Sequence, residues 1–237
     1  MVLIIIPTYN EIENVELMIR TLMNNDAYWH VLIIDDASPD GTASRVKALQ
    51  NEFLNRLHLE IRNEKKGLGT AYIHGFNWGL TRSYNYFVEM DCDFSHKPAD
   101  VIRLIEPCSN GMFHLSIGSR YIKGGRITNW PLGRVLMSYF ASLYVRIVLG
   151  LPIKDTTAGF KCYTRKALQS IDYKSVVFKG YAFQINLKYL VYKSGLHIIE
   201  IPIEFTDRER GQSKMSLSIF KEAFFGVFKM RHNYLAK

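Results

Sequence analysis

The sequence predicts an α/β fold, a mostly parallel sheet flanked by helices, with an amphipathic C-terminal elaboration. Three observations carry this. Short apolar runs without in/out alternation recur through the first half, helical patterns separate them, and the polar residues of most chemical interest come directly after the runs. Such runs are the strands of a sheet covered on both faces by helices, and ligands of these sheets sit beyond the strands' C-terminal ends.

Taken in order, Val2–Ile6 is the first strand and is followed by a helical stretch from about Glu11. The opening run ends at Pro7 and has no basic region ahead of it, so it reads as a buried strand and not as an export signal. Val31–Asp35 precedes a helix from about Gly41, and Leu57–Ile61 precedes one opening near Gly67-Leu68-Gly69-Thr70. That Gly-Leu-Gly lacks the third glycine of a dinucleotide fingerprint, which leaves turn and helix-start geometry as its reading. Tyr86–Met90 precedes a helix after Pro98, and Phe113–Ile117 closes the series. Residues 1–237 are expected to form a single domain, since no low-complexity linker interrupts them and 48% of the residues are hydrophobic. Cys92, Cys108 and Cys162 are odd in number and widely spaced, which predicts neither a disulfide framework nor a zinc site and fits a reducing cytosolic setting.

Three polar clusters should converge on one rim: Pro7-Thr8-Tyr9-Asn10-Glu11 after the first strand, Asp35-Asp36 at the end of the second, and Asp91-Cys92-Asp93 after Tyr86–Met90. Asn10 and Asp40 taken singly are turn or capping residues. Two carboxylates one residue apart, leaving a strand into a turn, suit a hard divalent cation such as Mg²⁺ or Mn²⁺ bridged to a diphosphate. Charge divides the chain in the same sense. Residues 1–118 carry 10 Lys and Arg against 15 Asp and Glu (net −5), and residues 119–237 carry 20 against 7 (net +13). An acidic half fits a metal site, and a basic half fits an anionic substrate, a nucleic acid or an anionic lipid surface. A nucleic-acid-binding module would leave the acidic rim unexplained, so no nucleic-acid partner is expected.

Two later stretches bear on membranes. Arg134, Ser138, Ser142 and Arg146 form a polar stripe at i+4 spacing on an otherwise apolar helix that must bury most of its surface. Ser216 to Arg231 repeats the theme, with Leu217, Phe220, Phe224 and Phe228 on one side. Core packing and an interfacial position on a membrane both satisfy these patterns. The run Val135–Leu151, interrupted by Arg146, falls short of the roughly 20 residues that span a bilayer.

The rim clusters extend to a family resemblance. Pro7-Thr8-Tyr9-Asn10-Glu11, Asp35-Asp36-Ala37-Ser38-Pro39-Asp40-Gly41-Thr42 and Met90-Asp91-Cys92-Asp93-Phe94-Ser95-His96 resemble the inverting family-2 glycosyltransferases. More narrowly they resemble the polyprenyl- and dolichyl-phosphate mannosyltransferases, as do Gly118-Ser119-Arg120-Tyr121, Asp155-Thr156-Thr157-Ala158-Gly159-Phe160 and Arg208-Glu209-Arg210-Gly211-Gln212-Ser213-Lys214. The resemblance implies a glycosyltransferase A-type, Rossmann-like fold. Residues 1–118 would be its nucleotide-sugar and metal half, and 119–237 its acceptor and membrane-facing half. It also implies that Pro7, Tyr9, Glu11 and Asp36 hold the nucleoside, that Asp91 and Asp93 hold the metal, and that Arg120, Arg208 and Lys214 surround the donor and acceptor phosphates. Cys92 stands among the donor-binding residues where alanine is usual. Ser95 stands where some relatives place a metal-holding Gln, and is the expected third protein ligand.

The expected donor is a nucleotide-sugar, GDP-mannose by resemblance, and the acceptor a polyprenyl phosphate; the alternatives are a UDP-glucose donor with the same acceptor, or a family-2 enzyme with a saccharide acceptor. The protein would then work peripherally at the cytoplasmic face of a membrane, alone or with a membrane-protein partner. A phosphate monoester is mostly dianionic at neutral pH and needs no general base, so Arg and Lys should outweigh catalytic His at the site. His96 is accordingly read as a structural or supporting residue, and His74 as a partly buried, hydrogen-bonded one.

Overall fold

The computed structural model describes residues 1–176, 178, 180–208 and 224–232. Its first half is the expected alternation: β1 (Val2–Thr8), α1 (Val15–Asn25), β2 (Trp29–Asp35), α2 (Thr42–Leu49), β3 (Leu57–Ile61), α3 (Leu68–Leu80), β4 (Tyr86–Glu89) and α4 (Asp100–Ser109). Then follow β5 (Leu115–Ser119), β6 (Arg126–Thr128), α5 (Leu132–Leu149), β7 (Lys161–Thr164), α6 (Arg165–Gln169), α7 (Tyr181–Lys193), β8 (Ile198–Pro202) and β9 (Glu204–Thr206).

Seven strands form one sheet in the order β3-β2-β1-β4-β7-β5-β8. All neighbours pair in parallel except β7, which runs antiparallel to β4 and β5. Strand side chains alternate between two apolar layers, because period two sends neighbouring residues to opposite faces. Leu3, Ile5, Leu32, Ile34 and Phe87 pack toward Tyr72 and Phe76 of α3 and Phe183 of α7. Ile4, Ile6, Val31, Ile33 and Val88 pack toward α1, α2 and α4 through Met18, Ile19, Val46, Val101 and Leu104. α3 lies close on the sheet because Gly75 and Gly79 face it: a Cβ at either would come within 2.6 Å of Ile5 or Phe87.

Chain order reverses at β1, which has β2 on one side and β4 on the other. Crevices open at such reversals. The chain leaves β1 at Thr8 and β4 at Glu89, so both acidic rim loops face the same crevice. The short parallel pair β6 and β9, with a bridge from His96 to Phe205, walls its far side.

Two expectations need correction. The series does not close at Phe113–Ile117: β5 begins two residues later, β7 is inserted between it and β4, and β8 follows at the edge. β7 escaped the apolar-run criterion because it opens on Lys161, whose ammonium pairs with Glu89 at 3.0 Å, both side chains fully buried. The second correction concerns the striped helix. α5 turns its polar stripe toward the protein body, with Ser142 buried and Arg134 paired with Asp207 at 3.1 Å. Its apolar side faces outward, leaving Leu132 73%, Ile147 71% and Phe140 59% exposed. α5 is also long and apolar enough, by length and composition, to cross a membrane. The helical segment 224–232 lies beside it, Tyr144 stacking on Phe224 at 4.9 Å and Arg231 Nη1 donating to the Val148 carbonyl at 2.9 Å. The rest of the Ser216–Arg231 stretch lies outside the described residues.

Candidate active site

The loop after β1 is fixed by its neighbours across the rim. The Asn10 N–H donates to Ser38 Oγ at 2.9 Å, and the Glu11 N–H to Thr42 Oγ1 at 3.0 Å. Asp35 is spent internally, accepting from the Thr8 and Ser38 hydroxyls at 2.9 and 2.6 Å. Asp40 accepts from the Thr42 and Ile12 backbone N–H groups at 3.0 and 3.1 Å, the turn role expected of it. Asp36 is held by a two-pronged contact from Arg62, 2.6 Å from Nε and 2.7 Å from Nη2, and Arg62 in turn donates to Thr70 Oγ1. Lys65 lies over the Tyr9 ring, 4.3 Å from its centre.

After β4 the chain bends sharply. Phe94 adopts φ 59°, a left-handed conformation that costs a non-glycine residue on the order of 1 kcal/mol, and the bend brings the Ser95 N–H to 3.1 Å from Asp93 Oδ1. Burial, and next the Asp93 carboxylate, push the Asp91 carboxyl up to about 7, while Arg208 opposes them. Arg208 Nη2 stands 3.1 Å from Asp93 Oδ2. Two carboxylates crowded at a cavity wall with one guanidinium between them are short of positive charge, which is what a divalent cation supplies. The residues therefore fit such an ion. No third His, Cys, Asp or Glu joins them in a metal-holding group among the described residues, so water, phosphate oxygens or the neighbouring Ser95 would complete the shell.

His96 stacks on Phe160 at 4.8 Å and meets the edge of Phe205 at 5.2 Å. Burial in this aromatic cage pushes its imidazole down to about 4, so it is neutral and a poor base at physiological pH. His74 contacts Glu60 at 3.0 Å on the outer surface, as expected of a hydrogen-bonded residue.

Cations line the same cavity. Arg120 Nε and Nη2 each donate to Asp155 at 2.7 Å, and Nη2 also donates to Thr157 Oγ1 at 2.8 Å. Arg134 reaches in from the first turn of α5, 3.9 Å above the Trp130 ring. These groups enclose one cavity of about 430 Å³, lined by Pro7, Tyr9, Glu11, Asp36, Asp91, Cys92, Asp93, Ser95, Arg120 and Arg208 together. Every site residue expected from the sequence is thus gathered there except Lys214, which lies outside the described residues. Lys65, Trp130, Arg134, Gln184 and Phe205 also line it and were not anticipated as site residues. Arg134 could have been found as the first member of the polar stripe, and Lys65 from the basic pair before Gly67.

Residues 3–172 match the sequence pattern of the family described as glycosyl transferase family 2. The chain is 45% identical, over 95% of its length and 84% of the relative's, to a polyprenol monophosphomannose synthase of Mycolicibacterium smegmatis. It is also 45% identical to an undecaprenyl-phosphate mannosyltransferase of Micrococcus luteus, covering 95% of this chain and 92% of that one. A dolichol-phosphate mannosyltransferase of Pyrococcus furiosus is 34% identical over 96% of this chain and 62% of its own. Among solved structures, glucosyl-3-phosphoglycerate synthase from Mycobacterium tuberculosis, in complex with Mn²⁺, UDP and glucosyl-3-phosphoglycerate, superposes with a TM-score of 0.69. That match has 17% identity and covers 98% of this chain and 80% of that one, which is a likeness of fold.

Proposed function

The chain belongs to glycosyl transferase family 2, and on that basis we propose that it transfers mannose from GDP-mannose, with inversion, to a polyprenyl phosphate at a membrane surface. The observation that carries the reading is the polarity of the cavity. One cavity is lined both by an acidic pair, Asp91 and Asp93, and by three arginines, Arg120, Arg134 and Arg208, the last of them in contact with Asp93. The names of the mannosyltransferases that share 45% of its residues support the choice of sugar and acceptor.

The roles proposed are those the family resemblance implies, for residues that the fold gathers at one cavity. Pro7, Tyr9 and Glu11 after β1, Asp36 after β2 and Cys92 after β4 all line the cavity and take the donor, the first four on its nucleoside side, with Lys65 over the Tyr9 ring. Asp91 and Asp93, with Ser95 adjacent, hold a divalent ion, Mg²⁺ or Mn²⁺, which when bound neutralises charge on the departing diphosphate. Arg208, now 3.1 Å from Asp93, is within reach of the same phosphates. Arg120 and Arg134 orient the acceptor phosphate. Because that phosphate is already mostly dianionic at neutral pH, it attacks the anomeric carbon without a general base, in keeping with a His96 held neutral in its aromatic cage. Lys214, outside the described residues, is proposed from the resemblance alone to bind the phosphates. The chain acts as one unit, its first 118 residues serving the donor and the remainder the acceptor and the membrane.

Membrane contact is supported by the outward face of α5 and by segment 224–232, where Phe224, Phe225 and Phe228 are more than half exposed. Arg134, whose helix carries that face, lines the cavity, so a lipid-anchored phosphate could enter from the same side. In this proposal the protein works at the cytoplasmic surface of the membrane, alone or beside a membrane-protein partner. The test is transfer of labelled sugar from GDP-mannose to polyprenyl phosphate in anionic vesicles, with UDP-glucose as the competing donor. Transfer from UDP-glucose and not GDP-mannose would overturn the choice of sugar, and no transfer to any polyprenyl phosphate would overturn the acceptor.

A further inference from the structure

Between α5 and β7 the chain runs as an irregular strap, residues 152–159, with no helix or strand partner for most of its backbone. Asp155 and Thr156 within it are fully buried, so their backbone polar groups call for partners from elsewhere in the chain. Two charged residues from other elements do this. Glu200 of β8 accepts the Lys154 and Asp155 N–H groups at 2.8 Å each. Lys188 of α7, itself fully buried, donates from Nζ to the carbonyls of Thr156 at 2.9 Å and Ala158 at 2.6 Å.

The strap delivers Arg120. The Asp155 carboxylate accepts the Arg120 backbone N–H at 3.0 Å together with Nε and Nη2, and Thr157 accepts from Nη2. Burial works against the charged form of Asp155, yet Arg120, and to a smaller extent Lys188, hold its carboxyl below the usual range. Packing alone does not account for a lysine at 188. A methionine would fill similar space without burying an amine whose charged form burial disfavours. What methionine would forfeit is the grip on both carbonyls that flank Thr157.

We propose that Lys188 is a positioning residue for Arg120: by pinning the Thr156 and Ala158 carbonyls, it holds Asp155 and Thr157 where they aim the guanidinium into the cavity. The inference rests on reading that cavity as the site of sugar transfer to a phosphate. Lys188 touches no substrate, and its effect should travel entirely through Arg120.

The test is a double-mutant cycle on the full chain: wild type, Lys188→Met, Arg120→Lys and both together, assayed for mannosyl transfer. Lys188→Met is expected to lower kcat/KM for the acceptor by about tenfold or more while the donor KM stays within about twofold, and to add less than about twofold in the Arg120→Lys background. Lys188→Gln, whose amide keeps two donors, should recover part of the loss. Calorimetric binding of GDP with Mn²⁺ should be unchanged in Lys188→Met. Equal losses in both backgrounds, transfer within about twofold of wild type, or a loss of GDP binding matching the loss of transfer would each overturn the inference. If circular dichroism shows Lys188→Met unfolded, the cycle is read with Lys188→Gln, and additive losses overturn it equally. A wild-type chain inert toward polyprenyl phosphate would instead sink the functional reading, before any variant is made. The same cycle would then be run on whichever phosphate acceptor the wild type does use.

Discussion

Asp91→Asn tests the acid pair without recourse to activity. Burial and Asp93 lift the Asp91 carboxyl from an ordinary 3.8 to about 7 in the folded protein. A carboxyl whose folded value lies above its unfolded value binds its proton more tightly when folded. Folding is therefore favoured at pH below 3.8, and that advantage is lost as pH rises through the window up to about 7. Three pKa units correspond to a ceiling of about 4 kcal/mol. Coupling to Asp93, and the desolvation that the replacement amide also suffers, reduce this to an expected gain of about 2 kcal/mol for Asp91→Asn at pH 8, a rise of roughly 4–8 °C in Tm for a chain of this size. The assay is thermal unfolding in EDTA at pH 5 and pH 8, repeated with Mn²⁺. The variant should gain over wild type more at pH 8 than at pH 5, and Mn²⁺ should raise the Tm of wild type but not of Asp91→Asn. A variant no more stable than wild type at pH 8 in EDTA, or one stabilised by Mn²⁺ as much as wild type, would refute the reasoning.

Other outcomes follow from the same geometry. Phe140→Ser with Ile147→Ser removes two side chains that are 59% and 71% exposed on α5. At about 1.5 kcal/mol each for the apolar area that a bilayer would cover, flotation with anionic vesicles should weaken roughly 100-fold while the unfolding midpoint in solution barely moves. Arg134→Ala loses its contacts with Asp207 and Trp130 and should raise the acceptor KM about tenfold, with GDP binding by calorimetry unchanged. His96→Phe fills the cage between Phe160 and Phe205 and should keep transfer within about fivefold of wild type; a loss of 10²-fold or more, with a shifted pH profile, would make His96 the base after all.

The apolar runs Val2–Ile6 and Val31–Asp35 were legible because a central parallel strand is buried on both faces and tolerates few polar residues. The rim was legible for the complementary reason: Asp36, Asp91 and Asp93 follow strands directly, where the crevice must be. Tertiary context decided the rest. Lys161 opens β7 and Lys188 sits inside α7, yet both are fully buried against partners far away in sequence, so a residue type that almost always marks solvent here marks the core. Periodicity located the stripe from Arg134 to Arg146 but not which side of the helix met the protein. Arg134, the first residue of the stripe, faces inward onto Asp207 and the cavity. The cationic part of the site was visible as net charge in the second half, whereas Arg120, Arg134 and Arg208 are scattered over the chain and come together only in the folded cavity.

The central claim, a donor diphosphate held at Asp91 and Asp93 and a phosphate acceptor held by the arginines, is tested most directly by one transfer assay. GDP-mannose, UDP-glucose and UDP-GlcNAc are each offered with polyprenyl phosphate in vesicles, with and without EDTA, to wild type and to Asp91→Ala with Asp93→Ala. Mannosyl transfer from GDP-mannose that is abolished by chelation, restored by Mn²⁺ or Mg²⁺ and lost in the double variant is the predicted result. Transfer undiminished by thorough chelation or by the double substitution would contradict it.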